Sequence, residues 1–196
     1  MYDRESDLKT AFNKAIVNLL NIEEQDYYSK LTTDQMLNLK SALSDINNII
    51  TLRLAFSLAD WICSKLNISQ RTKKEITDTM RSSKPNTNGY DIEISDPDIV
   101  AEIKCNIPIN SGRVYGSAQR NGLKKDIDGL LNGKNKSRKK AEESIKILGL
   151  YDTQEVRAAT DHFVKNLPPE LNRKLVVDPK QAETLDTSHV YVVFVK

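Results

Sequence analysis

The fold is decided by residues 90–105, whose sequence is YDIEISDPDIVAEIKC. Apolar and polar side chains alternate in this stretch both before and after the turn-forming residues Ser95–Asp98. Successive side chains of a β-strand point to opposite faces, so such alternation is typical of strands. The pattern therefore predicts two strands, Tyr90–Ile94 and Ile99–Ile107, joined as an antiparallel hairpin.

The same alternation predicts which side chains share a face. Glu102 and Lys104 are expected to lie together on one face of the second strand, and Asp91 and Glu93 on the corresponding face of the first. The opposite face of the second strand is apolar and is expected to form the core: Ile99, Ala101, Ile103 and Cys105.

The length of the turn predicts which residues face each other across the hairpin. If Ser95–Asp98 form a four-residue loop, Ile94 pairs with Ile99 and Asp91 pairs with Glu102. Directly opposed residues have Cβ atoms about 4.5–5.5 Å apart. Two carboxylates at that separation repel each other unless a cation lies between them, and Mg²⁺ prefers oxygen ligands of this kind. The hairpin therefore predicts a site for a divalent ion.

Asp91, followed after ten residues by Glu102-Ile103-Lys104, resembles the active-site signature of the PD-(D/E)xK nuclease superfamily, which includes many type II restriction endonucleases. The resemblance covers roughly residues 85–195, and Tyr90 stands where the signature has proline. It implies an α/β fold of the restriction-endonuclease type, with a mixed β-sheet core flanked by helices.

The resemblance also implies a chemistry for these residues. Asp91, Glu102 and the backbone carbonyl of Ile103 would bind one or two Mg²⁺ ions, for which Mn²⁺ is an expected substitute. The ion would lower the pKa of a bound water and turn it into a nucleophile at neutral pH. Lys104 would hold that water and offset the charge that develops on the phosphate.

Two further polar residues are candidate auxiliaries of this site: Glu93 on the first strand and Gln119 on the helix that follows the second. Residues 111–140 contain nine Lys or Arg and two Asp, a net charge of +7, whereas residues 1–60 have a net charge of −3. This asymmetry indicates a polyanionic partner, although a solvated surface has the same signature. The candidate DNA-binding residues are Arg113, Arg120, Lys124, Lys125, Lys136 and Arg138.

Residues 1–85 contain no glycine, and their only proline is Pro85, so they are expected to form a helical region. Apolar periodicity predicts a first helix near the N-terminus, a second that opens with the capping box Thr32–Gln35, and a third over Ile49–Leu66. A further capping box, Thr72–Glu75, predicts a short fourth helix. This region is either a cap or part of the same domain as residues 86–196.

The remaining elements are predicted from periodicity and from Gly and Pro breakers. The helices are Ser117–Leu131 and Gln154–Asn166, and the strands are Ser144–Tyr151 and His189–Val195.

Several classes of protein are disfavoured. The only histidines are His162 and His189, which makes a histidine-based zinc site improbable. No phosphate-binding glycine motif occurs, so no nucleotide cofactor is expected. No segment has the apolar length of a membrane span, and the charged start of the chain is unlike a signal peptide, so a cytoplasmic location is expected.

The prediction is a Mg²⁺-dependent endonuclease that cuts double-stranded DNA, as a homodimer because cutting both strands needs two active sites. Three alternatives stay open. The chain could be a structure-selective nuclease of repair, recombination or defence, or a DNA-binding module of the same fold that has lost catalysis. The third alternative is a structural or interaction protein without DNA affinity.

Overall fold

The structure, a computed structural model, describes residues 2–82, 89–108, 112–137, 139–180 and 184–196. The helices are α1 (Arg4–Leu20), α2 (Tyr27–Lys30), α3 (Thr33–Lys65), α4 (Gln70–Ser82), α5 (Ser117–Asn132), α6 (Gln154–Lys165) and α7 (Pro169–Asn172). The strands are β1 (Ile92–Ser95), β2 (Asp98–Lys104), β3 (Ile145–Tyr151), β4 (Leu175–Val177) and β5 (Val190–Val195).

The chain divides into two units, Met1–Ile46 and Asn47–Lys196, so that the boundary falls within α3. In the first unit, polar contacts join α1 to α2. The Asn13 side chain donates to Asp26 Oδ1 at 3.2 Å and accepts from the Tyr28 N–H at 2.8 Å. The described residues of this unit are all exposed or half-buried. The second unit contains the helical residues 47–82 as well as the sheet.

The two helices predicted for residues 32–66 are a single helix of 33 residues, α3, so the predicted break is wrong. The segment contains neither Gly nor Pro, so nothing in the main chain ends the helix between the two apolar runs. The capping box at its start is confirmed, because Gln35 Oε1 accepts from the Thr32 N–H and Thr32 Oγ1 accepts from the Gln35 N–H.

Helix α4 starts earlier than predicted. Ser69 precedes the helix, and its Oγ accepts from the Thr72 N–H at 3.2 Å. Thr72 and Glu75 therefore lie inside α4, and the capping box predicted there does not form.

The strand order in the sheet is β1-β2-β3-β5-β4. β1 pairs with β2 in the antiparallel sense, and the other three pairings are parallel. The fold is therefore mixed α/β, with a five-stranded mixed sheet flanked by helices, as predicted at that level. Three short elements were not predicted: α2, α7 and β4.

Helices cover both faces of β2. Ile99, Ala101 and Ile103 belong to a core that also contains residues of α3 and α4. Val100 belongs to a second core, with residues of α5 and α6 on the opposite face. The assignment of the first face to the core is confirmed, but the second face is buried as well, and Val100 has no exposed surface.

Cys63 and Cys105 are both free thiols. Cys63 is buried and Cys105 is half-buried. Among the described residues, none of the helices combines the length and apolar character that crossing a membrane requires.

Candidate active site

The β1–β2 hairpin has the predicted register but a shorter turn. Ile94 pairs with Ile99 as expected, and Ser95 also pairs with Asp98. The predicted four-residue loop is therefore wrong, since only Asp96-Pro97 lies between the paired residues. Asp91 lies in a bend one residue before β1, where the ladder ends, so the predicted strand pairing of Asp91 with Glu102 is wrong.

Asp91 reaches β2 through its side chain. Its Oδ2 accepts a hydrogen bond from the backbone N–H of Ile103 at 2.8 Å. A strand N–H beyond the end of its neighbouring strand needs an acceptor, and this carboxylate supplies one. The bond fixes Asp91 beside the residue that lies between Glu102 and Lys104, while the Asp91 side chain stays largely exposed.

Glu102 is buried, with 3% of its surface exposed. Its Oε1 accepts a hydrogen bond from Lys134 Nζ at 2.5 Å. Burial, and after it the charge of Asp91, raise the pKa of the Glu102 carboxyl to about 7, against the opposing effect of Lys134. A carboxylate in such a place is stabilised by any cation that reaches it.

Lys104 is half-buried on the same face of β2 and forms an ion pair with Asp126 of α5, with Nζ at 3.2 Å from Oδ2. Burial lowers the pKa of the Lys104 ammonium, but the nearby carboxylates, above all Asp126, outweigh it and raise the pKa overall. Lys104 is therefore charged at neutral pH.

Asp126 is itself buried, with 8% of its surface exposed. Burial raises the pKa of its carboxyl, against the effect of Lys104. Its Oδ2 lies 3.2 Å from Lys104 Nζ and has no hydrogen-bond partner among the described residues. A buried carboxylate oxygen that lacks a hydrogen-bond partner can still accept a hydrogen bond or bind a cation.

Lys134 lies two residues beyond the end of α5 and has three partners at the site. Besides Glu102, its Nζ donates to the carbonyl oxygen of Gly89 at 2.9 Å and lies 5.3 Å from the centre of the Tyr90 ring. The Tyr90 hydroxyl in turn donates to the Gly129 carbonyl of α5 at 2.9 Å. The site therefore holds three carboxylates, of Asp91, Glu102 and Asp126, and two ammonium groups.

Sequence reasoning missed the roles of Asp126 and Lys134. Asp126 did leave a signal, because it lies three residues after Leu123 and four before Leu130 and so shares the apolar side of α5. A charged residue on an apolar helix face is a candidate for a buried functional group. Lys134 was counted only in the positive charge of its segment, and nothing local to it indicates Glu102 as its partner.

The two candidate auxiliary residues have other partners. Glu93 is exposed on β1, and its Oε1 accepts from the Tyr90 N–H at 3.5 Å. Gln119 accepts from the Gly116 N–H at 2.9 Å and donates to the Ile107 carbonyl at 2.7 Å, so both ends of its amide are engaged. Gln119 ties the start of α5 to the segment after β2.

The candidate DNA-binding residues on α5 are exposed, but they do not all face the site. Each helix residue is rotated by about 100° from the last, so Lys124 projects about 160° and Arg120 about 120° away from Asp126. One guanidinium nitrogen of Arg120 also donates to the Tyr115 carbonyl at 2.9 Å. Lys125 is closer in direction to Asp126, at about 100°.

The remaining candidates lie in the connecting segments. Arg113 precedes α5 and Lys136 follows it, and both are exposed. Arg138 lies outside the described residues. On the side of α5 that carries Asp126, Gly122 faces open space, since a Cβ there would meet nothing within 4 Å.

The acidic residues fit a divalent ion with few protein ligands. Among the described residues, no three His, Cys, Asp or Glu side chains are grouped so as to hold a metal ion. Mg²⁺ is commonly bound by one or two carboxylates and completes its shell with water and substrate phosphate. Asp91 and Glu102 are two such carboxylates, and burial is the main cause of the raised pKa of Glu102.

The chain matches no known protein-family model, no curated protein and no solved structure.

Proposed function

We propose that the chain is a Mg²⁺-dependent endonuclease that hydrolyses phosphodiester bonds in double-stranded DNA, with a core of the PD-(D/E)xK, restriction-endonuclease-like type. One observation carries the proposal. The Ile103 N–H donates a hydrogen bond to Asp91, which brings Asp91 to the end of β2 that carries Glu102 and Lys104. An acid pair with an adjacent lysine is a donor set suited to a divalent ion and an attacking water.

Asp91 and Glu102 would hold the ion, each through a carboxylate oxygen. The N–H and C=O of one strand residue point toward the same neighbouring strand, so the Ile103 carbonyl is expected on the side where Asp91 lies. When bound, Mg²⁺ would polarise the scissile phosphate and make water nucleophilic at neutral pH.

Lys104 would orient that water and offset the negative charge that builds up on the phosphate oxygens. An ammonium suits this task because it is a compact point charge that does not compete for the metal. Asp126 keeps the ammonium in place through the 3.2 Å ion pair.

Double-stranded DNA is the proposed substrate because the chain from residue 111 to 140 has a net charge of +7. Cations in this number release counterions from a phosphate backbone and give salt-dependent affinity. We further propose a homodimer, since two sites are needed to cut both strands. A restriction role and a role in repair, recombination or defence are both compatible with this chemistry.

A second candidate is a DNA-binding module that has lost catalysis. The ion pairs from Lys134 to Glu102 and from Lys104 to Asp126 favour it, because they neutralise two of the three acids without a metal. This candidate predicts salt-sensitive DNA binding without cleavage in Mg²⁺ or Mn²⁺.

Incubation with supercoiled plasmid and Mg²⁺ separates the two candidates. The nuclease proposal predicts nicked or linear products that EDTA and the variant Glu102→Gln abolish. Asp96→Asn, an exposed acid in the turn of the same hairpin, is the matched control and should cut like the unchanged protein. Intact plasmid in both Mg²⁺ and Mn²⁺, with DNA binding retained, would establish the second candidate instead.

A further inference from the structure

The shorter of the two ion pairs at the site joins Lys134 to Glu102, which is a proposed metal ligand. Its Nζ is 2.5 Å from Glu102 Oε1, and 23% of the Lys134 side chain and 4% of the Glu102 side chain are exposed. A buried carboxylate without a cation is strongly destabilising, so this lysine supplies the charge that Glu102 needs when no metal is present.

The local main chain is shaped to allow this contact. Gly133 has a φ of +93°, a conformation that glycine adopts readily, and it leads from α5 into Lys134. Gly129 provides space for the lysine stem, because a Cβ at that position would lie 3.3 Å from Lys134 Cε. Gly89 and Tyr90 complete the surroundings with a carbonyl acceptor and an aromatic face.

A divalent ion on Glu102 changes the balance of these contacts. Mg²⁺ binds a carboxylate oxygen at about 2.0–2.1 Å, which would bring it close to an ammonium on the same carboxylate. Two cations at that distance repel each other in a poorly solvated site. The other partners of Lys134, a carbonyl and an aromatic ring, are uncharged and do not hold the ammonium at Glu102.

We propose that Lys134 is a tethered cation that occupies Glu102 in the metal-free protein and gives up that carboxylate when a divalent ion binds. The proposal rests on the proposed function, because it takes Glu102 as a metal ligand. Lys134 is then free to meet a DNA phosphate. By linkage, if bound metal strengthens DNA binding by releasing Lys134, bound DNA must strengthen metal binding by the same factor.

Lysine acylation tests this on the unchanged protein. A limited dose of acetic anhydride, followed by peptide mass spectrometry, measures how fast each amine reacts with and without Mg²⁺. Loss of a charge-assisted hydrogen bond should raise the rate at Lys134 by about ten- to hundredfold. Lys139 is the internal control, because it forms an ion pair with Asp98 and should not respond to Mg²⁺.

The variant Glu102→Gln and a parallel binding assay complete the test. In that variant, Lys134 should react quickly whether or not Mg²⁺ is present. Equilibrium dialysis with Mn²⁺ measures metal binding in the same preparations. If metal binds and Lys134 stays protected, the tethered-cation proposal is wrong while the nuclease proposal stands. If no metal binds, both are wrong.

Discussion

The two faces of β2 are both buried, yet they are built from different residues. The face toward α3 and α4 carries Ile99, Ala101 and Ile103 in a wholly apolar core. The face toward α5 begins with Val100 and continues with Glu102 and Lys104, whose charges are partly or almost wholly removed from water. Buried charges seldom favour stability over an apolar alternative, and the proposed function gives the charges on this face a role.

The largest expected effect is on catalysis at the charged face. Replacing Lys104 by Met removes the group proposed to hold the water and stabilise the phosphate, and cleavage of plasmid should fall by about a hundred- to a thousandfold. Mn²⁺ binding should persist, because Lys104 is not a metal ligand. Glu102→Gln, in contrast, should abolish both plasmid cleavage and Mn²⁺ binding. Cleavage at an unchanged rate by the purified Lys104→Met protein would remove Lys104 from the mechanism.

Substitutions on the apolar face should change the free energy of unfolding and not the chemistry of the site. Leu58 of α3 is fully buried, and Gly149 of β3 leaves the space that it fills, since a Cβ at Gly149 would lie 2.7 Å from Leu58 Cδ2. Leu58→Ala should lower the free energy of unfolding by about 3 kcal/mol, measured by urea denaturation. Leu52→Ala, on an exposed position of the same helix, should cost much less, and equal losses would contradict the assigned packing.

The charged face should also give a pH dependence of stability. The pKa of Glu102 rises from its ordinary 4.5 to about 7, so between these values the folded chain keeps a proton that the unfolded chain has released. This proton binding stabilises the folded state at low pH, and the stabilisation is lost as pH rises through about 7. The expected loss from this residue is about 3 kcal/mol.

Urea unfolding at several pH values measures that loss. The quantity compared is the free energy of unfolding of the unchanged protein and of Glu102→Gln, which lacks the titrating group. Saturating Mg²⁺ should shrink the difference, because the ion stabilises the ionised carboxylate. A difference that stays constant from pH 4 to 8 would show that Glu102 titrates normally.

Asp126 should affect the rate of cleavage more than substrate binding. Asp126→Asn weakens the ion pair that positions Lys104, and a displacement of such a group is expected to lower kcat by about 10- to 100-fold. KM should stay nearly constant, because the exposed basic residues are intact. Asp128→Asn, an exposed acid on the same helix, is the matched control. A rise in KM at constant kcat would indicate a role in DNA binding instead.

The sequence predicted the hairpin well because alternation and register are local properties. The pairing of Ile94 with Ile99 and the apolar face of Ile99, Ala101 and Ile103 are both confirmed. The partners of the charged residues were not predictable, since Lys134 and Glu102 are 32 residues apart and meet only after α5 has folded onto the sheet.

Local signals also failed where tertiary packing decided the outcome. β4 has only three residues, Leu175–Val177, and exists because β5 offers it a parallel edge. The apolar runs of α3 looked like two helices because their apolar positions change side along the helix. The helix continues through both runs because the segment contains no Gly or Pro to break it.

The smallest expected effect concerns the open side of α5. Gly122 lies within the helix and faces empty space, so Gly122→Ala should raise the free energy of unfolding by up to about 1 kcal/mol through helix propensity. Thermal denaturation measures the change. A destabilised variant would mean that the position is crowded.

Anomalous diffraction from a crystal of this protein grown with Mn²⁺ tests the central claim most directly. We predict a peak within bonding distance of carboxylate oxygens of both Asp91 and Glu102, with the Lys134 ammonium no longer in contact with Glu102. A peak elsewhere, or none at a concentration that saturates binding in solution, would contradict it.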